Sequence, residues 1–214
     1  MADLRHITHW VFDLDNTLYP SDAPIMTQVD RRMTAYVARL LDLPHDEARK
    51  VQKAYWHDYG TTLNGLMANH AVDMREFLDF VHDVDPTVIT PHPELASRIE
   101  ALPGKRLVYT NGSLSHAENI LGHMGLTHLF DDIFDVEASG FQPKPHQAGF
   151  DSFVADSDTN LCFATGKVGQ RRLQELFLFT SRRVGQDRLV LRRWGSKDSV
   201  CHSCKSLWGW HKFR

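Results

Sequence analysis

The sequence predicts an α/β protein: a doubly wound parallel sheet with a helical cap inserted after the first strand. Three observations carry that expectation. An apolar run, Thr8 to Phe12, ends abruptly in two carboxylates, Asp13 and Asp15. Residues 24–85 then place apolar side chains three and four apart, the spacing of amphipathic helices. From Arg106 onward, short strand-like runs alternate with helical ones, as in a parallel sheet covered by helices.

Each element follows from local composition. Thr8–Phe12 is rich in β-branched and aromatic residues, and the polar stretch Asp13 to Thr17 stops it. In the cap, Ile25, Val29, Met33, Tyr36, Val37 and Leu40 recur at helical spacing, as do Phe77, Leu78 and Val81. Pro86, Pro91 and Pro93 punctuate the return to the core, and Glu94 to Leu102 reads as a helix stopped near Pro103-Gly104. A strand over Arg106–Tyr109, a helix over Ser115–Met124 and a strand over Ile133–Val136 follow. The expected division is a core of residues 1–19 and 92–155, a cap of residues 20–91, and a tail of residues 156–214. Ligands of such sheets bind at the carboxyl ends of the strands.

Composition agrees with a compact globular protein. The chain has 214 residues, is 42% hydrophobic and can form one domain with an insertion or two small domains. It has no run of eighteen apolar residues, and MADLRHITHW lacks the layout of a signal peptide, so a cytoplasmic protein without a membrane partner is expected. The 13 histidines are scattered and read mostly as surface residues. They make net charge sensitive between about pH 6 and 7.

Asp13 and Asp15, if extended, point the same way and repel unless a cation or a shared proton intervenes. Mg²⁺ suits such a pair, because it takes carboxylate oxygens, keeps several waters and is completed by a phosphate. The competing reading is an Asp-rich turn capping the next helix, with Asn16 and Thr17 as caps. Thr110-Asn111-Gly112-Ser113 is open in the same way, since Asn-Gly favours a turn and Ser113 precedes helical periodicity. Lys144, in Pro-Lys-Pro, reads equally as a solvated loop lysine.

Taken together, VFDLDNTLYP at 11–20, the run Leu107 to Gly112 and SGFQPKPHQAGF at 139–150 resemble the haloacid dehalogenase superfamily of phosphatases, over about residues 8 to 155. The resemblance implies that Asp13 is the nucleophile and Asp15 the acid/base, its proton affinity raised by neighbouring negative charge. It implies that Thr110 and the Asn111 backbone, in the motif that ends at Gly112, hold phosphate oxygens, and that Lys144 offsets charge. Mg²⁺ would be held by Asp13, the Asp15 carbonyl and a further acid. The second acid argues against dehalogenation, because halide leaves without a proton. Tyr59 to Leu66, with Asn16 to Pro20, is similar to the pyrimidine 5′-nucleotidase-like branch, implying a small phosphate ester, a nucleotide, as substrate. Tyr19, Tyr55, Trp56 and Tyr59 could stack on a base, and Thr61 or Asn64 could bond its edge. For at least two of these aromatics, ordinary helix packing is the plainer role.

The resemblance stops near Ala155. Paired acids that complete the metal site are expected roughly 25 to 30 residues beyond the lysine. Residues 169–174, GQRRLQ, contain no acid; Asp156 and Asp158 come too early and Asp198 too late. Composition breaks at the same place, with net charge +7 over residues 156–214 against −10 before them. A frameshift or a mis-annotated exon is the reading preferred for this tail. Two others are a partial zinc site of Cys201, His202, Cys204 and His211, with Cys162 as a distant ligand, and an amphipathic helix around Leu173, Leu176 and Phe177. A nucleic-acid partner is not expected, since charge alone supports it. If the further acid is missing, the alternative is a catalytically inactive member that binds phosphate ligands or a protein partner.

Overall fold

The computed structural model describes residues 9–156, together with two-residue strands at 178–179 and 191–192. Strands β1 (His9–Phe12), β2 (Lys105–Tyr109), β3 (Asp132–Phe134), β4 (Leu178–Phe179) and β5 (Leu191–Arg192) form one sheet in the order β3-β2-β1-β4-β5. β1 runs parallel to both of its neighbours, β2 parallel to β3, and β5 antiparallel to β4. The central position of β1 explains its composition. Trp10, Val11 and Phe12 are all fully buried, as a parallel strand covered on both faces requires.

The two faces pack against different partners. Trp10 and Phe12 join Val108, Ile120 and Leu121 in one cluster, whereas Val11 joins Leu107, Tyr109, Phe134, Phe150 and Phe153 in another. Helices α5 (Pro93–Glu100), α6 (Leu114–His123) and α7 (Gln147–Asp156) complete the core. Register pairs Phe12 with Val108, so the residues after β1 and after β2 emerge at the same carboxyl edge.

Helices α1 (Ile25–Leu41), α2 (His45–Tyr59), α3 (Thr62–Asn69) and α4 (Met74–His82) form the cap. Each boundary has a local cause. Gly60 ends α2 with a φ of 80°, and Thr61 caps α3 by accepting the Asn64 N–H at 3.1 Å. Asp73 accepts from the N–H groups of Arg75 and Glu76 at the start of α4. Tyr36, Val37, Leu66, Phe77 and Val81 pack together as the cap's own cluster.

The expected elements are present, with shifts at their ends. Ile25, Val29, Val84 and Ile89, all within the expected cap range, pack in the core cluster, so α1 serves core and cap along one helix. β3 ends at Phe134 instead of Val136. Asp135 turns the chain there, accepting the Leu114 and Ala138 N–H groups at 2.8 and 2.9 Å. Leu40, despite its periodicity, is exposed at the end of α1. The strand-like run Arg188–Arg193 contains β5, and strand β4 falls inside the stretch read as a basic amphipathic helix; the cysteine cluster and the remaining residues of that stretch lie outside the described residues.

α2 and α3 meet closely at Gly65, where an added Cβ would lie 2.3 Å from the Tyr55 Cβ. Gly65→Ala should therefore destabilise the protein by about 1–3 kcal/mol through overpacking, despite alanine's better helix propensity. Chemical denaturation measures this, and a gain in stability would contradict the close packing.

Candidate active site

Three loop segments, those after β1, β2 and β3, meet at the carboxyl edge of the sheet. Asp13 follows β1 directly; its Oδ1 accepts from Lys144 Nζ at 2.8 Å and from the Leu14 N–H at 3.0 Å. Its Oδ2 accepts the Thr17 hydroxyl at 3.2 Å. The turn closes through Thr17 and Leu18 N–H groups on the Leu14 carbonyl, with Asn16 at φ 57°, a left-handed conformation that asparagine tolerates. Asn16 and Thr17 cap no helix, since Pro24 precedes α1, and the helix-capping reading of the run is thereby excluded.

Lys144 is not a solvated lysine. Its side chain is only 11% exposed, and Nζ also donates to the Tyr109 carbonyl while lying 4.8 Å from the Tyr109 ring centroid. The Asn111 side chain fastens this loop on both sides: Oδ1 accepts the Lys144 N–H at 2.7 Å and Nδ2 donates to the Lys144 carbonyl at 3.1 Å. Thr110 is fully buried, and its Oγ1 accepts the Gly112 N–H at 2.9 Å.

Asp15 has a different environment. Oδ1 accepts the Tyr19 hydroxyl at 2.6 Å and lies 2.8 Å from His116 Nε2. Burial alone would raise the pKa of Asp15, but the His116 hydrogen bond and charge, with help from Tyr19, outweigh it and hold the carboxyl below its ordinary value. The expected rise in proton affinity is thus reversed in the ligand-free site. Tyr19 is also corrected. It lies fully buried beneath Asp15, its phenol held well above the usual range by burial and then by the Asp15 charge, and it is not placed to stack on a substrate.

A cavity of about 230 Å³ opens beside Asp15 between cap and core. Thr61, Asn64, Asn111 and Gly112 line it, as does Trp56, which is 61% exposed. Most of the remaining wall is apolar, with Met26, Val29, Phe77 and Val81 among its residues. Tyr55 instead pairs its hydroxyl with His70 Nε2 at 2.7 Å and packs edge-on against Tyr59. Of the four aromatics, Trp56 alone borders the cavity. Phe141, at φ 58°, also borders it, from the loop that leads to Lys144.

Sequence reasoning missed His82 and His116, whose rings stack at 4.6 Å and border the cavity. The available signal was weak, a histidine within the apolar stripe of a helix. His82 Nδ1 lies 2.8 Å from Ser113 Oγ, and burial, then the neighbouring His116, push its pKa down to about 3. Among the described residues no group of three His, Cys, Asp or Glu side chains could hold a metal ion, and no helix is long and apolar enough to cross a membrane.

An acid is thus held against a lysine at the end of a central parallel strand, with a hydroxyl residue at the end of the next. Residues 7–157 match the model of the haloacid dehalogenase-like hydrolases, and the chain belongs to that family. It is 26% identical over 132 residues to phosphate metabolism protein 8 of Saccharomyces cerevisiae. That alignment covers 57% of this chain and 41% of the yeast protein, so the chain spans well under half the length of that relative. Among solved structures, L-2-haloacid dehalogenase from Xanthobacter autotrophicus is similar with a TM-score of 0.42 and 23% identity, over 73% of this chain and 67% of that one. A HAD phosphatase from Thermococcus onnurineus gives 0.39 and 20%, over 61% and 63%.

A histidine whose folded pKa is depressed removes stability on acidification. The unfolded chain binds the His82 proton below about pH 6.5, the folded one only near pH 3. The contribution is complete above about pH 6.5 and falls by up to about 1.4 kcal/mol per unit as the pH drops. His82→Asn should flatten the dependence of unfolding free energy on pH between 6.5 and 5. Denaturant titrations at three pH values check this, and identical slopes for both proteins would contradict it.

Proposed function

We propose that this chain is a Mg²⁺-dependent phosphomonoesterase that acts through an aspartyl phosphate on a small phosphate ester, a pyrimidine nucleoside 5′-monophosphate. The observation that supports it most is the Asp13–Lys144 contact, an acid and a cation brought together from 131 residues apart at one strand end. A nucleophilic carboxylate must approach an anionic phosphate, and a fixed ammonium offsets that repulsion without the bulk of a guanidinium.

The residues supply the following chemistry. An Asp13 carboxylate oxygen attacks phosphorus, the bond to the ester oxygen breaks, and Asp15 gives the leaving alkoxide its proton. Water then attacks phosphorus, Asp15 takes the proton, and orthophosphate departs with Asp13 regenerated. Asp15 is anionic in the ligand-free site, so it must gain that first proton with the substrate, whose negative charge raises its proton affinity. Lys144 neutralises charge throughout. The Thr110 hydroxyl and the Asn111 and Gly112 backbone are the groups for the phosphate oxygens.

The donor set fits Mg²⁺ in kind: the Asp13 side chain and the Asp15 carbonyl are hard oxygen ligands. When bound, the ion would screen the phosphate and stabilise charge on its oxygens. The leaving group would lie in the cavity, with Trp56 available to stack on a pyrimidine and Thr61 and Asn64 near its edge. One observation favours a second reading, a non-catalytic member that binds phosphate ligands. A third acid for the metal is absent among the described residues, and the residues that follow Phe179 are Thr180, Ser181, Arg182 and Arg183.

Phosphate release from UMP, CMP and sugar phosphates, with Mg²⁺ and with EDTA, separates the two. The phosphatase reading expects EDTA to abolish turnover and Asp13→Asn to lower it by at least about 10³-fold. EDTA-insensitive turnover contradicts it, and nucleotide binding without turnover supports the second reading.

A further inference from the structure

Asp15 is held by a group that the proposed reaction does not itself require. His116 sits in the first turn of α6, 101 residues from Asp15 in sequence, with its ring 1% exposed and Nε2 2.8 Å from Oδ1. Its position is built from several sides. The ring stacks on His82 at 4.6 Å with an interplanar angle of 26°, and His82 is anchored by Ser113, the residue that caps α6. Gly112 leaves the necessary space, because a Cβ there would lie 2.9 Å from His116 Cδ2. His116 Nδ1, meanwhile, is buried with no hydrogen-bond partner among the described residues. A stranded polar atom costs stability, so stability alone is a poor account of a histidine at this position.

The geometry also distinguishes the two oxygens of Asp15. Both side-chain contacts, from Tyr19 and His116, fall on Oδ1, and among the described residues no hydrogen bond reaches Oδ2. We propose that His116 is a positioning residue for the acid/base: with Tyr19 it pins Oδ1 of Asp15, so that Oδ2 is the oxygen that exchanges the proton with the leaving group and then with water. The proposal rests on the reading of Asp15 as acid/base. Gly112, expected to serve the substrate, would then act also by giving His116 room, and His82 by bracing its ring.

A positioning role has a consequence that a merely structural role lacks. Losing the alignment of a general acid hurts esters with poor leaving groups and spares those whose leaving group departs as a stable anion. The test compares kcat/KM for p-nitrophenyl phosphate and phenyl phosphate, since that ratio reports the step in which the ester bond breaks. For His116→Ala, the p-nitrophenyl ester should stay within about threefold of wild type and the phenyl ester should fall by about 10²-fold. His116→Gln, which keeps an N–H donor, should recover most of the loss, and Tyr19→Phe should show the same selectivity more weakly. Retained turnover of the activated ester certifies that each variant is folded. Equal losses on both esters, or no loss on either, overturn the role of His116 while leaving the phosphatase reading intact. Wild-type protein inactive on both esters overturns that reading, and the proposal with it.

Discussion

The site depends on one long-range contact, Lys144 Nζ on Asp13 Oδ1. The rest of the carboxyl edge is arranged so that this contact can form. Neither group is free in water, with side-chain exposures of 11% and 26%, so each would be costly to leave without the other. Asn111 holds the Lys144 backbone from both sides, and the Tyr109 carbonyl takes a further Nζ donor. Close packing supports the same loop from below: an added Cβ on Gly149 in α7 would meet the Gln142 carbonyl oxygen at 2.1 Å. That approach lets the helix sit directly under the segment that delivers Lys144.

The two acids of the first loop are given opposite surroundings. Asp13 faces a cation through one oxygen and the Thr17 hydroxyl through the other. Asp15 is enclosed by a phenol and an imidazole and lines the cavity between core and cap. Two carboxylates one residue apart thus meet different neighbours, which come from the loop after β1, from the loop between β3 and α7, and from α6. The cap contributes Trp56, Thr61 and Asn64 to the cavity wall and, in His82, a ring stacked on His116.

Much of this was legible in the sequence, for physical reasons that differ by residue. β1 could be read because a strand buried on both faces must be continuously apolar, and its sudden end in Asp13 and Asp15 marks the site. Ser113 could be read as a helix cap because short polar side chains favour that position. Lys144 was legible only in the company of the other motifs, since nothing local to Pro-Lys-Pro tells a buried lysine from a solvated one. Tyr19 was misread for a related reason: an aromatic beside an acid looks the same whether its hydroxyl binds that acid or its ring meets a ligand. His116 was invisible because its role lies in a contact across 101 residues and in the space left by Gly112. No periodicity encodes either. The end of β3 was misplaced because Val136 continues the apolar run, while the Asp135 side chain has already turned the chain.

The central claim is that Asp13 carries the phosphoryl group between substrate and water. The most direct measurement is mass spectrometry of peptides from enzyme quenched in acid during turnover of p-nitrophenyl phosphate with Mg²⁺. The account predicts a transient phosphoryl adduct on the peptide containing Asp13, absent from Asp13→Asn. Turnover with no adduct on that peptide, or with the adduct on another residue, would contradict it.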